Sequence, residues 1–406
     1  MKEGWVNKTL KDIGKVFSGN SINAKVKKER YLNYPKGFPY VATKDVGFDS
    51  SIDYENGVKI PCIEKDSFKV ASKNSVLICA EGGSAGRKMG IINQDICFVN
   101  KLFAITPENV TTSKYLFFWY NTIEFQQEFR SRLTGLIGGV SKKKFESIPI
   151  PIPPIYEQKR IVAKLDKCFE AIDKARANVE KNLQNAKDLF QSQLNQIFSQ
   201  KGEEWVEKKI KLIATKIGSG ATPRGGKNSY KETGISLIRS LNVYDDGFRE
   251  MKLAFIDNNQ ASKLNNVIIE KNDVLLNITG ASVARCCIVP ENLIPARVNQ
   301  HVSIIRLKPE ILEPKFLHYL LISKNIKDIL LGIGEQGSTR QAITKSQIEN
   351  FSICFPSEIS EQLILVKQLD KLKTQTKSLE SNYQQELDAL DELKKSILQK
   401  AFNGEL

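Results

Sequence analysis

The sequence predicts an α+β fold in which two mixed, strand-rich domains are copies of each other and each is followed by a long helix. Three observations predict it: an internal repeat of about 200 residues, short apolar runs separated by turn residues in the first part of each copy, and heptad spacing in the second part. The predicted segments are a first strand-rich domain at 1–152, a central helix at 153–200, a second strand-rich domain at 201–355 and a C-terminal helix at 356–406.

The internal repeat consists of short matching segments that keep their order in both halves of the chain. Trp5 matches Trp205 at an offset of 200 residues, and Glu157-Gln158 matches Glu361-Gln362 at an offset of 204. Further matches pair Phe17-Ser18-Gly19 with Ile217-Gly218-Ser219, Lys73-Asn74 with Lys271-Asn272, and Val99-Asn100-Lys101 with Val298-Asn299-Gln300. A repeat of this length indicates a duplicated structural unit that has acquired only small insertions.

Within each copy, the first 150 or so residues have the pattern of short strands joined by turns. Apolar runs such as Val76–Cys79 alternate with glycine, asparagine and proline. We predict one amphipathic helix in each copy, at 114–132 and 314–331. A short apolar strand at 148–152 or 351–355 then leads into the long helix.

The long helices are predicted from apolar residues at alternating steps of four and three. Ile161, Leu165 and Cys168 begin this spacing in the first helix, and Leu365 and Leu369 begin it in the second. No proline interrupts either segment. Because a helix with a narrow apolar stripe is not stable alone in water, we expect the two helices to pair as an antiparallel coiled coil. Pairing between two copies of the chain is the alternative.

Composition limits the class of protein. Lysine and arginine total 60 against 46 aspartate and glutamate, a net charge of +14, which favours a polyanionic partner, with nucleic acid ahead of a membrane surface. The seven cysteines include no Cys-x-x-Cys pair, which argues against a disulfide framework or a zinc site. With a polar N-terminus and no apolar run of membrane-spanning length, we expect a reduced, cytoplasmic protein.

Basic and polar residues recur in glycine-containing loops at equivalent places in the two copies. Arg87 follows Gly86, and Arg285 lies 198 residues further along the chain. Arginine can bind guanine through two hydrogen bonds in the major groove, and lysine can neutralise phosphates. The predicted DNA-contacting residues are Lys25, Lys27, Lys28, Arg87, Lys88, Lys101, Lys142, Lys143, Lys144, Arg224, Lys227, Arg285, Arg297, Asn299, Gln300, Arg340, Gln341 and Lys345.

Simpler interpretations of these loops stay open. The lysine-rich loops could be solvated surface, and Arg297 and Asn299 could lie on the solvated face of a strand. Thr344 and Gln347 have the spacing of a capping box that opens a helical turn.

Catalytic motifs are missing from the sequence. The pair Pro153-Pro154 is flanked by isoleucines, so it lacks the polar acceptor that adenine methyltransferases use to hold the target amine. The glycine loop at 82–88 lacks the spacing of a phosphate-binding loop. The two histidines, His301 and His318, offer little for histidine-based catalysis or metal binding, and His318 is expected to lie partly buried in a helix.

Three segments carry a resemblance to a known family. Pro149–Pro154 followed by Glu157-Gln158-Lys159-Arg160-Ile161 is similar to the family's approach to its first conserved helix, and Ile217–Pro223 resembles the turn that opens its recognition domains. The segment Leu393–Leu406 is similar to the family's usual C-terminal sequence. The first copy lacks the proline after Ser18–Ser21, and Phe355-Pro356-Ser357 replaces a Pro-Pro pair. The chain thus resembles the specificity subunits of type I restriction-modification systems.

The resemblance implies that each strand-rich domain is a target-recognition domain for one half of a split, asymmetric DNA site, with the helices fixing the gap. It implies two modification subunits, which are S-adenosylmethionine-dependent adenine methyltransferases, and restriction subunits that cleave. S-adenosylmethionine, Mg and ATP are then used by those partners, and this chain is a non-catalytic subunit that binds no cofactor. The helix residues predicted to contact partners are Glu157, Gln158, Ile161, Leu165, Glu361, Gln362, Leu365 and Leu369.

Two other functions remain open on the sequence alone. The chief alternative is a coiled-coil interaction protein without a DNA role, which explains the helices but not the duplicated basic loops. A stand-alone nuclease or methyltransferase is the second alternative, and the missing motifs argue against it.

Overall fold

The computed structural model describes residues 4–108, 111–135, 138–200, 202–335 and 341–406. The chain forms two compact units. Unit 1 comprises Met1–Glu180 and Gln385–Leu406, and unit 2 comprises Lys181–Gln384. The division lies within both long helices, so each unit combines a strand-rich part with a piece of each helix.

Unit 1 contains the first set of strands. These are β1 (Val6–Thr9), β2 (Gly14–Ser18), β3 (Phe38–Val41), β4 (Lys59–Ile60), β5 (Val70–Ala71), β6 (Val76–Cys79), β7 (Met89–Ile91), β8 (Ile96–Phe98), β9 (Leu102–Pro107) and β10 (Pro149–Ile152). Its helices are α1 (Ala24–Val26), α2 (Ser113–Tyr120), α3 (Ile123–Ser131), α4 (Lys142–Glu146) and the first part of α5 (Ile155–Ser199).

Unit 2 contains the second set. Its strands are β11 (Trp205–Lys209), β12 (Ala214–Ser219), β13 (Ile235–Ile238), β14 (Val243–Tyr244), β15 (Gly247–Phe248), β16 (Ala254–Ile256), β17 (Val274–Asn277), β18 (Cys286–Ile288), β19 (Arg297–Val298), β20 (Val302–Leu307) and β21 (Ser352–Pro356). Its helices are α6 (Ile210–Ile213), α7 (Asn258–Ser262), α8 (Pro314–Ile322), α9 (Lys324–Glu335), α10 (Lys345–Asn350) and the first part of α11 (Ile359–Phe402).

The two units share one topology. In unit 1 the antiparallel sheet has the order β2-β9-β6-β7, and in unit 2 the equivalent order is β12-β20-β17-β18. A second sheet contains one parallel pair in each unit, β3 with β8 and β13 with β19. The strand before each long helix pairs with the first strand of its unit, β10 with β1 and β21 with β11. The duplication inferred from short sequence matches therefore extends to the whole fold.

Backbone pairing corrects one of the sequence matches by one residue. The amide of Val99 donates to the carbonyl of Val41, and the amide of Asn299 donates to that of Ile238. Val99 is therefore equivalent to Asn299, and Lys101 to His301, at an offset of 200 residues. The sequence match at 99–101 was misplaced because a valine and an asparagine occur in both copies one position apart.

The single amphipathic helix predicted in each copy is wrong, because the structure divides each into two. In unit 1, Thr122 separates α2 from α3, and its side chain accepts a hydrogen bond from the amide of Phe125. In unit 2, Ser323 separates α8 from α9 with an extended backbone. A capping threonine satisfies the free amides of a new first turn, so apolar periodicity can continue across a break in the helix.

Each unit has a main core formed by one face of its antiparallel sheet and the helices that cover it. Unit 1 fills this space with aromatic side chains, among them Tyr115, Phe125 and Phe129, all fully buried. Unit 2 fills it mostly with leucine and isoleucine around Phe316. The same backbone arrangement thus accommodates two differently packed interiors.

Pieces of both long helices pack together within each unit. In unit 1, the ammonium of Lys394 lies 3.1 Å from the carboxylate of Asp173 and 4.8 Å from the ring centre of Phe169. Arg176, further along α5, forms an ion pair with Asp391, which comes earlier in α11. In unit 2, Leu194, Phe198, Val366 and Leu369 belong to one buried core.

Several residues predicted to bind partner subunits are instead part of the interior. The amide oxygen of Gln158 accepts hydrogen bonds from the hydroxyl of Thr111 at 3.0 Å and the amide of Thr112 at 3.2 Å, and its nitrogen donates to the carbonyl of Pro153. Gln362 likewise accepts from the amide of Glu313 and donates to the carbonyls of Ile311 and Pro356. Both glutamines are fully buried, so they join each long helix to its own domain.

The other residues predicted to bind partner subunits are also buried, but to different extents. Ile161, Leu165 and Leu369 are buried in the cores, and Glu157 is buried and paired with Arg160. Glu361 is half-buried, and Leu365 is half-buried against the core of unit 2. Heptad spacing identifies an apolar helix face but does not say whether the same chain or another covers it.

We expect Gln158→Ala and Gln362→Ala each to lower the free energy of unfolding by about 1–3 kcal/mol, because buried donors and acceptors lose their partners. Urea unfolding of the full chain measures the change. Lys159→Ala, at an exposed neighbouring position on the same helix, is the matched control. An unchanged unfolding free energy in Gln158→Ala, together with weakened partner binding, would restore the partner-contact interpretation.

Candidate DNA interface

Three loops of unit 1 are joined by backbone hydrogen bonds at one end of its antiparallel sheet. The amide of Ala80 donates to the carbonyl of Lys101 at 2.9 Å, and the amide of Val140 donates to the carbonyl of Ala80 at 2.9 Å. The amide of Gly82 donates to the carbonyl of Gly138 at 2.8 Å. The glycine loop 80–88, the loop 99–102 and the loop 138–141 therefore meet.

Unit 2 repeats this junction bond for bond. The amide of Ile278 donates to the carbonyl of His301 at 3.0 Å, and the amide of Ile343 donates to the carbonyl of Ile278 at 2.8 Å. The amide of Gly280 donates to the carbonyl of Gln341 at 2.9 Å. Gln341 thus occupies the backbone position that Gly138 has in unit 1. We call the two junctions the three-loop sites.

Each three-loop site borders an open cleft. The cleft of unit 1 has a volume of about 490 Å³ and is lined by Glu81, Asn100, Lys101 and the loop that contains Gly138. The cleft of unit 2 has a volume of about 420 Å³ and is lined by residues that include Tyr244, Thr279, Arg285 and His301. Both clefts are open to solvent.

Glycine is required in these loops by backbone conformation. Gly82 and Gly280 have φ angles of +84° and +71°, a region that residues with a side chain adopt only under strain. A Cβ atom at either position would meet no atom within 4 Å. The space above each glycine is therefore open, and a ligand can approach the backbone there.

An arginine lies over an aromatic ring at each three-loop site. The guanidinium of Arg87 lies 4.9 Å from the ring centre of Phe48, and that of Arg285 lies 4.8 Å from the ring centre of Tyr244. Phe48 is 61% exposed. Such stacking favours one orientation of the guanidinium plane while its N–H edge stays available. Both arginines were predicted from the sequence, but the two rings were not.

The rings could have been found from a second repeated feature. In each unit a short 3-10 helix, Thr43–Asp45 or Ser240–Asn242, comes just before the ring, which lies in a turn for Phe48 and in β14 for Tyr244. The last residue of each 3-10 helix is buried and accepts a hydrogen bond from a backbone amide at its start, Asp45 from Ala42 and Asn242 from Arg239. Their spacing in the sequence, 197 residues, is close to that of the repeat, and a ring follows each of them within three residues.

Most of the predicted residues close to the three-loop sites are accessible. Arg87, Lys101, Gln300 and Gln341 are exposed, and Lys88 and Arg285 are half-buried. Lys142, Lys143 and Lys144 follow the third loop of unit 1 in α4, Lys345 follows that of unit 2 in α10, and all four are exposed. Lys88 also donates to the carbonyl of Thr43 at 3.2 Å. Arg340 lies outside the described residues.

A second group of predicted residues lies near the turns that follow β2 and β12. These turns are hydrogen-bonded to the end of β8 in unit 1 and to the loop after β19 in unit 2. The amide of Asn20 donates to the carbonyl of Phe98, and the amide of Gly220 donates to that of Asn299. The hydroxyl of Thr222 donates to the side-chain oxygen of Gln300 at 2.5 Å. Lys25, Lys28, Arg224 and Lys227 follow these turns and are exposed, whereas Lys27 is half-buried.

Arg297 and Asn299 are buried, which argues against the prediction that they contact DNA. Arg297 is only 6% exposed, and its guanidinium donates to the carbonyls of Ala261 and Ala296 and to the side chain of Asn265. Burial lowers the pKa of its guanidinium. Asn299 is buried and accepts from the amide of His301. Both residues hold loops of unit 2 together, so the solvated-face interpretation is wrong.

Two further sequence-based expectations are confirmed. The amide of Gln347 donates to the hydroxyl of Thr344 at 3.2 Å, and the amide of Thr344 donates to the side-chain oxygen of Gln347 at 2.8 Å, which is the predicted capping box. His318 lies in α8 and is buried. Burial and, to a lesser extent, the charge of Lys373 lower its pKa to about 4, so the ring is neutral at physiological pH.

The described residues provide neither a cluster of metal ligands nor a membrane-spanning helix. Among those residues, no group of three or more histidine, cysteine, aspartate or glutamate side chains could hold a metal ion. No helix in the same ranges is long and apolar enough to cross a membrane.

Comparison with known proteins identifies the family. The type I restriction modification DNA specificity domain matches residues 2–183 and 185–389. The type I restriction enzyme EcoBI specificity subunit of Escherichia coli is 23% identical over an alignment of 437 positions, which covers the whole chain and 86% of that protein. The MjaVIII specificity subunit of Methanocaldococcus jannaschii is also 23% identical, over 83% of this chain and 80% of its own.

Solved structures agree with the fold. A chain solved in a study of complex assembly and conformational transition of the type I R-M system superimposes with a TM-score of 0.81 at 18% identity, covering all of this chain and 99% of the other. The HsdS subunit of Thermoanaerobacter tengcongensis gives a TM-score of 0.64 at 19% identity, covering all of this chain and 98% of the other. With the family match over nearly the whole length, the chain belongs to the type I restriction-modification DNA specificity family, and its function is to give such a system its DNA sequence specificity.

Proposed function

We propose that each three-loop site reads one half of a bipartite, asymmetric DNA site and that the chain directs adenine methylation and cleavage by partner subunits. The observation that carries the proposal is the repeated junction, which presents an arginine, a glycine turn and polar side chains on the same backbone frame in both units. Two such frames in one chain suit a site with two separate halves.

The chemistry of the loops fits both kinds of DNA contact. Arg87 and Arg285 have the groups to bind guanine through two hydrogen bonds in the major groove, and their stacking on Phe48 and Tyr244 reduces the entropy lost on binding. The exposed lysines at 142–144 are suited to phosphates, because they are long, flexible and carry point charges. Phosphate contacts supply affinity and base contacts supply the choice of sequence.

We further propose that α5 and α11 pair as an antiparallel coiled coil and serve as the spacer between recognition domains at 1–152 and 201–355. In unit 1, Asp173 pairs with Lys394 and the later Arg176 pairs with the earlier Asp391, which is the order that opposite chain directions produce. The helices have 45 and 44 residues, or roughly 65 Å each. A rod of fixed length would set the number of unspecified base pairs between the half-sites.

The proposed partners are two modification subunits and the restriction subunits, with S-adenosylmethionine, Mg and ATP used by them and not by this chain, in the cytoplasm. The start of each long helix offers a contact surface different from the one first predicted. Ile155 and Tyr156 are exposed at the start of α5, and Leu363 and Ile364 are exposed near the start of α11. The first pair precedes Gln158 and the second follows Gln362, so the two pairs are not at matching positions, but each gives the start of its helix an exposed apolar patch that suits a protein partner.

A coiled-coil interaction protein without a DNA role is not supported. The family match extends through both strand-rich parts as well as the helices.

Single-molecule sequencing of the source genome, with and without this gene, tests the proposed function. We expect deletion to abolish adenine methylation at one split, asymmetric motif, and we expect the full-length gene supplied in trans to restore it. A methylation map that is identical in both strains, measured where the cognate methyltransferase is expressed, would contradict the proposal.

We expect Arg87→Ala and Arg285→Ala each to reduce selectivity at one half-site only, by about 1–3 kcal/mol of discrimination against the wrong base. Methylation of duplexes that carry single base changes in each half-site measures the effect. The two variants serve as controls for each other, and Arg130→Ala, exposed on α3, is the matched control within unit 1. If both variants kept full discrimination in both half-sites, the arginines would not read bases.

A further inference from the structure

A pair of side chains in contact stands at the same two backbone positions in each three-loop site. In unit 1 the ammonium of Lys101 lies 3.3 Å from the carboxylate of Glu81. In unit 2 the hydroxyl of Thr279 and the imidazole Nδ1 of His301 form a hydrogen bond of 2.5 Å. Backbone bonds fix the equivalence, since Ala80 bonds Lys101 and Ile278 bonds His301 in the same way.

The two pairs share their position but differ in chemistry. Glu81 and Thr279 each precede a glycine with positive φ, and each forms an isolated β-bridge with the third loop, to Gly139 or Ala342. Each pair lines the cleft of its unit. The backbone arrangement is therefore the same in both units. The side chains differ, since unit 1 has a carboxylate and an ammonium where unit 2 has a hydroxyl and an imidazole.

Stability does not account for the charged pair. The side chains of Glu81 and Lys101 are 38% and 51% exposed, and ion pairs of this exposure contribute little to folding because water screens them. Both side chains instead direct hydrogen-bonding groups into an open cleft that also contains the exposed Asn100. Such groups are free to exchange their mutual contact for contacts with a ligand.

We propose that these two positions determine base identity in each half-site and that Glu81 and Lys101 together read a G·C base pair. The inference rests on the proposed function of the three-loop sites. In the major groove, an ammonium donates to guanine O6 and N7, and a carboxylate accepts from the N4 amine of cytosine. The pair in unit 1 supplies both complements side by side. Thr279 and His301 read a different base pair, which makes the two half-sites differ at this position.

The test uses the full chain assembled with its cognate modification subunits and a duplex library in which one half-site at a time is randomised. Glu81→Gln replaces an acceptor by a mixed donor and acceptor of the same shape, and Lys101→Met removes the donor. We expect each variant to lose about 10-fold of the preference for one G·C pair in one half-site, with the other half-site unchanged. A merely structural role would lower methylation of all sequences equally.

A double variant and two controls sharpen the result. Glu81→Thr combined with Lys101→His copies the pair of unit 2, and we expect it to change the preferred base at the same position. Thr279→Ala should alter only the opposite half-site. Asp166→Asn removes the ion pair of Asp166 with Lys114, which lies outside the cleft, and should leave base preference unchanged.

The outcomes separate the inference from the proposed function. Thermal unfolding shows whether Glu81→Gln, Lys101→Met and the double variant are folded. If the unaltered complex is selective and these folded variants keep its preference at every base pair, the inference is overturned and the proposed function stands. If the unaltered complex methylates the library without preference, the proposed function fails, and the inference fails with it.

Discussion

The structure depends on a small set of backbone hydrogen bonds that join three loops at the end of each antiparallel sheet. Ala80 and Ile278 each bond two other loops through their main-chain groups, and the glycines that follow bond the third loop again. Because main-chain atoms make these bonds, the loop conformations depend on the glycines at 82 and 280 but little on the other side chains that the loops carry. A recognition surface can then change its chemistry without changing its frame, which suits a protein that gives specificity to a larger enzyme.

Because the chain is duplicated, this arrangement of three loops occurs once in each unit. The two units keep the same strand order, the same junction and an arginine over an aromatic ring, yet one core is rich in aromatic residues and the other in aliphatic ones. Polar pairs at equivalent places, Glu81 with Lys101 and Thr279 with His301, have diverged in the same manner. Conserved backbone geometry with divergent side chains is the physical basis for reading two different half-sites.

Elements fixed by local patterns could be predicted from the sequence, and those fixed by tertiary contacts could not. Apolar spacing without proline predicted both long helices, and the repeat predicted the duplicated fold and the positions of Arg87 and Arg285. Arg297 and Gln158 were misassigned because polarity alone does not distinguish a surface contact from a buried group whose partners come from distant segments. Phe48 was missed because its stacking partner lies about 40 residues away.

In the proposed complex, both three-loop sites contact DNA bases at once, each in its own half-site. A structure of the full chain with its modification subunits on the methylated motif, determined by electron cryomicroscopy, tests it most directly. We expect Arg87 and Arg285 both to lie in the major groove, one in each half-site, with the glycine turns against the DNA. A complex in which either site faces away from the DNA, or contacts only phosphates, would contradict it.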